Sequence, residues 1–317
     1  MKKIITAIGL LVVTLFLTVN LTNAQETALS GDPEGIAYDG ANIWVANQFS
    51  DNIVKIRPAD GFVLGTYRTG QRPVDVIFAN RSIWVANYLD DTVSKITAST
   101  GAIAQTIPVG AGPGGLFYDG VSVWVANRND GTVAEINPGT GATKTYEVGT
   151  RPMRMASDGT NLWVTNNQSN TVSVLNRDLG VINTISVGDG PFGIAFDGSN
   201  MWVANFFSQS VTRLSAGAAT ALIDSKVSFK VEDGPSNLAL IGGALWVVCT
   251  GGNSVVRMDT AIGGITGRVD TGASPYGLVT DGGSIWVTNT GGSSVSKTGI
   301  SSVISTDPKP VVVSVAP

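Results

Sequence analysis

Residues 43–56 read IWVANQFSDNIVKI, and close copies return at 83–96 (IWVANYLDDTVSKI), 162–175 (LWVTNNQSNTVSVL) and 285–298 (IWVTNTGGSSVSKT). Each copy has an apolar run around a tryptophan, then a polar loop, then a run in which apolar and polar residues alternate. Runs of five or six such residues that a polar loop separates are typical of paired β-strands. The stretch therefore predicts two adjacent strands that recur along the chain.

The recurrence extends over nearly the whole sequence. Seven tryptophans follow one another at spacings of 40, 40, 39, 39, 44 and 40 residues, and each has a proline 11 residues before it. The tryptophans are Trp44, Trp84, Trp124, Trp163, Trp202, Trp246 and Trp286. A fixed period of this length indicates one structural unit repeated seven times.

Each unit reads as four short strands. In the fourth unit they are RPMRMASDG (151–159), NLWVTN (161–166), NTVSVLN (170–176) and VINTISVG (181–188), with an Asp-Gly turn between the first two. Four-stranded units of about 40 residues are typical of propeller blades. The sequence predicts an all-β, seven-bladed β-propeller over residues 25–305, with each tryptophan buried between adjacent blades.

A propeller ring must close, since an open ring leaves two exposed sheet edges. The seventh unit degenerates after Lys297, so its last strand has to come from elsewhere. Residues 26–30 align with the fourth strand of other units, and we predict that this N-terminal stretch completes the last blade. The competing donor is 311–315 in the C-terminal segment 306–317, which is otherwise a tail. The fifth unit is longer, and we expect its extra residues, 216–225, to form a loop on the rim.

The N-terminus has the pattern of a secretory signal peptide. Lys2 and Lys3 precede an apolar run from Ile4 to Val19, and a polar stretch ends at Ala24. The run is shorter than the ~20 residues that a membrane-spanning helix needs. We predict a signal peptide over 1–24, cleavage after Ala24, and a secreted or periplasmic mature protein without a membrane span.

Composition excludes several function classes. The chain has no histidine and one cysteine, which excludes a Ser-His-Asp triad, a histidine-ligated metal, a cysteine zinc site and an internal disulfide. No phosphate-binding or calcium-binding loop motif occurs, so we expect no cofactor. A formal net charge of −4 argues against nucleic acid as a partner.

The repeated WVAN and WVTN segments resemble the YVTN-type β-propeller repeats of secreted and surface proteins. The resemblance covers about residues 31–298 and implies a seven-bladed ring, usually outside the cytoplasm, that binds something at one face. Related propellers include NHL-type sensors and the streptogramin lyases. Those lyases depend on a catalytic histidine and a divalent metal, and this chain has no histidine.

Candidate site residues flank the repeated prolines, which mark the turn entering the innermost strand at the channel mouth. Two positions after proline, four units have glycine, whereas the others have Asp75, Arg154 and Asn237. Positions at which a unit departs from the residue that the other units share are expected at functional sites. Arg72 and Arg151 precede their prolines, Phe192 and Tyr276 follow theirs, and Arg128 lies in a loop predicted on the same face.

Convergence of Arg72, Arg128, Arg151 and Arg154 would suit a carboxylate or phosphate. The alternative is that these arginines form ordinary ion pairs with Asp75, Asp90, Asp91 or Asp130. Asp75 and Glu34 could also come close enough for carboxylate chemistry. The aromatic residues Phe49, Tyr88, Phe206 and Phe207 could form an exposed patch. The asparagine three residues after each tryptophan, replaced by Cys249 in the sixth unit, is interpreted as structural.

The sequence thus predicts a monomeric, non-catalytic binding propeller whose partner is a small anionic ligand or a protein. Two alternatives stay open at this point. One is an enzyme similar to the streptogramin lyases or to lactonases, which rests on fold kinship alone. The other is an architectural surface protein that assembles through its aromatic residues.

Overall fold

The repeated proline and tryptophan mark the first two strands of every blade. A computed structural model describes residues 25–216 and 223–302, and these form seven four-stranded antiparallel sheets. The first strands of consecutive blades contact one another in turn, and the last contacts the first, so they form a ring around one axis. The prediction of a seven-bladed all-β propeller is confirmed.

The strands fall into four layers from the axis outward. The innermost strands, which begin at the repeated prolines, are β2 (Pro33–Tyr38), β6 (Pro73–Ala79), β10 (Pro113–Tyr118), β14 (Pro152–Ser157), β18 (Pro191–Phe196), β22 (Pro235–Ile241) and β26 (Pro275–Thr280). The second strands, which carry the tryptophans, are β3 (Ile43–Asn47), β7 (Ser82–Asn87), β11 (Val123–Asn127), β15 (Leu162–Asn166), β19 (Asn200–Asn205), β23 (Ala244–Cys249) and β27 (Ser284–Asn289).

The two outer layers complete the blades. The third strands are β4 (Asn52–Ile56), β8 (Thr92–Thr97), β12 (Thr132–Ile136), β16 (Thr171–Asn176), β20 (Ser210–Ala216), β24 (Ser254–Met258) and β28 (Ser294–Gly299). The outermost strands are β1 (Gln25–Ala28), β5 (Val63–Arg68), β9 (Ile103–Pro108), β13 (Thr143–Glu147), β17 (Gly180–Ser186), β21 (Ile223–Lys230) and β25 (Ile265–Asp270). Short 3-10 helices occur at Thr290–Gly292 and Ile300–Ser302.

The ring closes through the N-terminal strand, as predicted. Strand β1 pairs antiparallel with β28 of the seventh blade, with Gln25 opposite Lys297 and Ala28 opposite Ser294. The strand is Gln25–Ala28, slightly offset from the predicted 26–30. The competing donor 311–315, the predicted signal peptide 1–24 and the tail 306–317 lie outside the described residues. No helix in the described part of the chain is long and apolar enough to cross a bilayer.

The extra residues of the fifth unit partly extend its strands. Strand β20 reaches Ala216 and β21 begins at Ile223, so the predicted loop 216–225 is shorter than expected. The backbone pairing continues farther along the strands than in other blades, since β20 and β21 pair from Ser210–Lys230 to Ala216–Ile223. Residues 217–222 between them lie outside the described part.

The core consists of seven clusters, and each cluster joins a tryptophan to the next blade. Trp44 packs with Val76 and Ile83 of the second blade. At the point of closure, Trp286 of the seventh blade packs with Ile43 and Val45 of the first. All seven indoles are at most 2% exposed. An aromatic side chain of this size buries ~150–250 Å², so the tryptophans hold each blade against its neighbour.

A buried indole N–H needs an acceptor, and the Asp-Gly turns supply one. In the first blade, Asp39 Oδ2 accepts from Trp44 Nε1 at 2.7 Å, while Oδ1 accepts from the backbone N–H of Ala41 and Asn42. Asp119, Asp158, Asp197 and Asp281 accept from their tryptophans in the same way. The Asp-Gly pair therefore stabilises the turn and satisfies the indole together.

The second and sixth blades supply the indole acceptor in a different way. Their two inner strands are joined by two-residue turns, Asn80–Arg81 and Gly242–Gly243, in which both residues have positive φ. The indole N–H groups of Trp84 and Trp246 donate instead to the backbone carbonyls of Ala79 and Ile241. Every tryptophan therefore keeps an acceptor, with or without the aspartate.

Replacing Trp163 by Ala is expected to cost about 3–5 kcal/mol in the free energy of unfolding, because it empties space between two blades. Chemical denaturation monitored by far-UV circular dichroism measures this cost. The matched control is Phe62→Ala, since Phe62 is 59% exposed, and it should change stability by about 0.5 kcal/mol or less. Equal losses of stability for the two substitutions would contradict the role of Trp163 in holding two blades together.

The Asp39 turn makes the fold sensitive to acid. Burial alone would raise the pKa of Asp39, but hydrogen bonds from Trp44, Asn42 and Ala41 outweigh it and hold the pKa below its ordinary value of 3.8. A group whose pKa is lower in the folded chain stabilises it only while ionised. This contribution is complete above about pH 4 and is lost as the pH falls through the folded pKa.

Asp39→Asn should therefore destabilise the protein by about 1–3 kcal/mol at pH 7, because the new amide NH₂ faces the indole N–H and leaves it without an acceptor. The difference from wild type should shrink below pH 4, which urea denaturation at several pH values measures. Asp178→Asn, in an exposed turn, is the matched control and should have little effect. A deficit that is the same at pH 3 and pH 7 would refute the role of the ionised carboxylate.

Candidate functional site

The repeated prolines and the ends of the tryptophan strands share one face of the ring. Because the two inner strands run antiparallel, Pro33 lies opposite Asn47, and the same pairing recurs in the other blades. The turns that enter the innermost strands and the loops that follow the tryptophan strands therefore meet on this face. We call it the upper face, and the face with the Asp-Gly turns the lower face.

The asparagines that end the tryptophan strands all donate through their amide NH₂ toward the third strand, although Asn47, Asn127, Asn205 and Asn289 leave Oδ1 without a hydrogen bond to the described residues. Asn87 Nδ2 donates to Thr92 Oγ1 and Ser94 Oγ, while its Oδ1 accepts from Gly70 N at 3.1 Å. Asn166 makes the equivalent contacts with Thr171, Ser173 and Gly149. These amides tie the upper turns to the third strand. Cys249, in the same place, is fully buried among apolar residues, and burial raises the pKa of its thiol to about 12.

The upper-face aspartates hold turns and do not pair with the candidate arginines. Asp90 Oδ2 accepts from Gln71 N, Asp91 Oδ1 from Gly112 N, and Asp130 Oδ2 from Ala111 N, at 2.5–2.8 Å. The expected ion pairs of the arginines with Asp90, Asp91 or Asp130 are therefore absent from the described contacts. The carboxylate oxygens of these aspartates accept from backbone N–H groups of the turns instead. The sequence spacing alone does not reveal these backbone contacts.

The glycines two positions after proline are required by close packing around the axis. A Cβ at Gly35 would lie 2.5 Å from the Cα of Asp75, and one at Gly193 would lie 2.8 Å from the Cα of Asn237. The glycines belong to the first, third, fifth and seventh blades, and the side-chain-bearing positions Asp75, Arg154 and Asn237 belong to the second, fourth and sixth. The departures from glycine thus follow an alternation around the ring, and they place the few side chains that reach the axis.

Two of these side chains form a buried ion pair. Arg154 Nη1 donates to Asp75 Oδ2, and the same oxygen accepts from the backbone N–H of Leu116 at 2.8 Å. The side chains of Arg154 and Asp75 are 12% and 4% exposed. The pair joins the second, third and fourth blades across the axis. Asp75 is the predicted partner of Arg154, but the pair is buried and not a surface contact.

A second pair lies beside it. Arg128 Nη2 is 3.6 Å from Glu34 Oε1, and both side chains are about nine-tenths buried. The Tyr276 hydroxyl is within hydrogen-bonding reach of Glu34, and the Tyr276 ring meets the Phe192 ring edge-on at 5.5 Å. We call Glu34, Asp75, Arg128, Arg154 and Tyr276 the axial cluster.

Burial and charge oppose one another in the axial cluster. Burial raises the pKa of Glu34 above its ordinary value, and the nearby Asp75 adds to this, although Arg128 and Tyr276 lower it. Burial and the Glu34 charge raise the pKa of the Tyr276 hydroxyl. Burial disfavours the charges of Arg128 and Arg154, but the two acids outweigh it and keep both guanidinium groups protonated. Glu34 and Asp75 interact electrostatically, so the two acids do lie near each other.

The axial cluster contains hydrogen-bond donors without acceptors. Nε and Nη2 of Arg128 and Nε of Arg154 are buried and have no hydrogen-bond partner among the described residues. A buried unpaired N–H costs about 1–3 kcal/mol, so native structures usually supply an acceptor. Gly114 makes room for Arg128, because a Cβ there would overlap Arg128 Nε. The geometry thus presents N–H groups that a bound acceptor could satisfy.

The other candidate residues are placed differently. Arg72 lies between aromatic rings, with its Cζ 5.0 Å from the Tyr88 centroid and 5.8 Å from the Phe49 centroid, and Arg128 Cζ is 6.0 Å from the same Tyr88 ring. Arg72 therefore connects to the axial cluster through Tyr88. The Arg151 side chain is exposed and forms no ion pair within the described ranges.

The predicted aromatic patch is two separate pairs. Phe49 and Tyr88 flank Arg72 on the first and second blades. Phe206 and Phe207 stack edge-on at 5.3 Å on the fifth blade, across the ring. The tryptophan strands that precede these loops lie two or more blades apart, which prevents one continuous patch.

Sequence reasoning undervalued two features of the site. Glu34 was singled out only as a possible neighbour of Asp75, although it is the one charged residue at the position after proline. The threonines of the WVTN segments also matter, since Thr165 Oγ1 and Thr288 Oγ1 donate to the carbonyls of Phe192 and Glu34 in the next blade. These bonds position Phe192 and Glu34. No group of three potential metal-ligating side chains occurs in the described residues.

Comparisons with known proteins agree with the fold. Virginiamycin B lyase from Staphylococcus aureus superimposes with a TM-score of 0.75 at 21% identity, over 88% of this chain and 99% of that one. A structure of the same lyase with quinupristin is of a catalytically inactive histidine-to-alanine variant, at 20% identity and a TM-score of 0.75, with the same coverage. Hydrazine synthase of Kuenenia stuttgartiensis superimposes with a TM-score of 0.76 at 16% identity, over 90% of this chain and 99% of that one.

At these identities the likeness shows the fold and not the activity. No sequence-family description and no curated protein matches the chain. The class of protein is thus a seven-bladed β-propeller of four-stranded blades, structurally similar to the streptogramin B lyases.

The Asp75–Arg154 pair should be strongly coupled. Asp75→Ala leaves a buried guanidinium without its acid and is expected to cost about 3–5 kcal/mol. The double variant Asp75→Ala/Arg154→Ala should cost clearly less than the sum of the single variants, because neither charge is then left alone. Denaturant unfolding of the four proteins measures the coupling. Additive costs would show that the two side chains do not interact.

Proposed function

We propose that the protein is a monomeric, non-catalytic binding propeller that acts outside the cytoplasm and takes a small anionic ligand at the axial cluster on the upper face. The observation that carries this proposal is the set of buried, unpartnered N–H groups of Arg128 and Arg154. A carboxylate that reached them would form charge-assisted hydrogen bonds in a site shielded from water.

The charge balance around the cluster favours an anion. Within it, Glu34 and Asp75 balance Arg128 and Arg154. Arg72 then adds a positive charge that forms no ion pair with the described residues, since its guanidinium contacts the rings of Phe49 and Tyr88 and the Gln48 Oε1 atom. The upper-face aspartates already accept hydrogen bonds from turn backbone. Arg72 and the unpartnered N–H groups therefore offer an anion more donors than competing acceptors.

Binding is favoured over catalytic turnover because the charged side chains of the axial cluster already pair with one another. Each carboxylate is close to a guanidinium group, and the chain has no histidine to act as a general base. In the structurally similar lyase from Staphylococcus aureus, a histidine-to-alanine variant is catalytically inactive. This supports a role that does not depend on the lyase reaction.

Residues 1–24 support the proposed location, because they have the charge and hydropathy pattern of a signal peptide. Mass spectrometry of protein from the culture medium or periplasm should show a chain beginning at Gln25, and light scattering of that chain should give the mass of a monomer. A chain that keeps Met1 in the cytoplasm would contradict the proposed location.

The site is tested by thermal unfolding with acetate, succinate, benzoate, citrate and inorganic phosphate. At least one of these anions should raise the Tm of the wild type by several degrees, since a ligand at 100 times its Kd contributes about 2.7 kcal/mol. Arg128→Gln should abolish the shift by removing donors from the cluster.

The matched control is Arg81→Gln, since Arg81 is an exposed arginine on the lower face. This variant should keep the full shift. An equal Tm shift in the wild type, Arg128→Gln and Arg81→Gln would contradict the axial cluster as the binding site. No Tm shift with any of the anions would contradict the proposal of an anionic ligand.

A further inference from the structure

A cavity lies in the lower part of the central channel. It has a volume of about 390 Å³ and is lined by the innermost strands of the third to sixth blades, β10, β14, β18 and β22. This volume lies within the range of small-molecule sites. Arg154 of the axial cluster borders its upper end, and the other lining residues continue toward the lower face.

The two ends of the cavity differ in chemistry. Arg154 and Asn237 lie two residues after their prolines, near the upper ends of β14 and β22, whereas Ser157 and Phe196 are the last residues of β14 and β18 at the lower end. Between the two ends most of the lining side chains are apolar, although polar and apolar atoms contribute about equally to the accessible lining. The apolar side chains include Leu116, Phe117, Met155, Ile194 and Leu238.

The inner end offers hydrogen-bond donors. Asn237 Oδ1 accepts from the backbone N–H of Leu238 at 2.9 Å, which orients the amide and leaves its NH₂ group without a hydrogen bond to the described residues. Arg154 uses Nη1 for Asp75, and its charge is balanced by that carboxylate. The donors therefore suit an acceptor oxygen that carries no charge of its own.

The lower end disfavours anions. The turns that follow β10, β14 and β18 carry Asp119, Asp158 and Asp197, each of which accepts a hydrogen bond from a tryptophan indole. Hydrogen bonds hold the pKa of Asp197 below the ordinary value despite its burial, so it is negatively charged at neutral pH, whereas the charge of Asp119 is balanced by Arg177 at 2.6 Å. A charged carboxylate entering from this face meets the like charge of Asp197.

We propose that this lower cavity binds a small neutral molecule with an apolar body and a carbonyl oxygen, which accepts from Asn237 Nδ2 at the upper end. The apolar body replaces water along the walls of β10, β14, β18 and β22, and the hydrogen bond fixes its orientation. Arg154 borders both this cavity and the proposed anion site, but the contact proposed here is made by Asn237, which is not part of the axial cluster, so either proposal can fail without the other.

The test uses 2-nonanone as the neutral probe and nonanoate as its charged counterpart, with isothermal titration calorimetry on the mature protein. The ketone should bind, and nonanoate should bind at least about tenfold more weakly. Asn237→Asp should weaken ketone binding by about tenfold or more, because it replaces the donor with an acceptor and leaves the shape unchanged.

Two further variants locate the site. Asn80→Asp makes the same chemical change in a lower-face turn outside the cavity and should leave ketone affinity unchanged. Ala195→Phe adds bulk to the cavity wall and should abolish binding, while a native circular dichroism spectrum shows that it folds. Absence of ketone binding to the wild type, stronger binding of nonanoate, or equal affinity of Asn237→Asp and wild type would each overturn the proposal.

Discussion

The structure depends on one interaction repeated seven times: an indole buried between two blades with its N–H satisfied at the lower turn. The indoles are among the largest fully buried side chains, and a buried N–H without an acceptor would cancel part of what their burial contributes. An aspartate meets this need in five blades and a backbone carbonyl meets it in two. The two solutions require different turns, and this explains why the second and sixth units lack the Asp-Gly pair.

The same packing determines where chemistry can occur. Seven innermost strands crowd around the axis so closely that four blades carry glycine where the other three carry a side chain. Only Asp75, Arg154 and Asn237 have a side chain at that position, and Asp75 and Arg154 are joined by Glu34, one residue after its proline, and by Arg128, which follows β11. Burying charge requires a partner, so the two acids and two arginines occur together. The cluster lies in the channel between the upper loops and the cavity that is lined by β10, β14, β18 and β22.

Much of the fold was predictable because it is periodic. The fixed offset between proline and tryptophan predicts seven blades, and the alignment of 26–30 with a fourth strand predicts closure by β1, which pairs with β28. The site was predictable only in part. The residues flanking the prolines identified Arg154, Asp75 and Tyr276, but the pairing of Arg128 with Glu34 depends on how loops of the first and third blades reach the axis. No local pattern encodes that approach.

The aspartates of the upper loops illustrate the same limit. Asp90, Asp91 and Asp130 have the spacing of acids that could pair with arginines, yet each accepts from a turn N–H instead. Backbone donors in a tight turn have few other acceptors, whereas Arg72 finds aromatic rings. Hydrogen bonding by the turn backbone therefore determines which charged side chains stay available to a ligand. These hydrogen bonds can be identified only from the folded turns.

Amide hydrogen exchange of the seven tryptophan-bearing strands tests most directly whether the indole wedges join all blades into one closed ring. If they do, the central amides of β3, β7, β11, β15, β19, β23 and β27 exchange only through global unfolding, with the same free energy of opening. A markedly lower opening free energy in β27, whose blade is completed by the short strand β1, would show that the ring is not closed as a single cooperative unit.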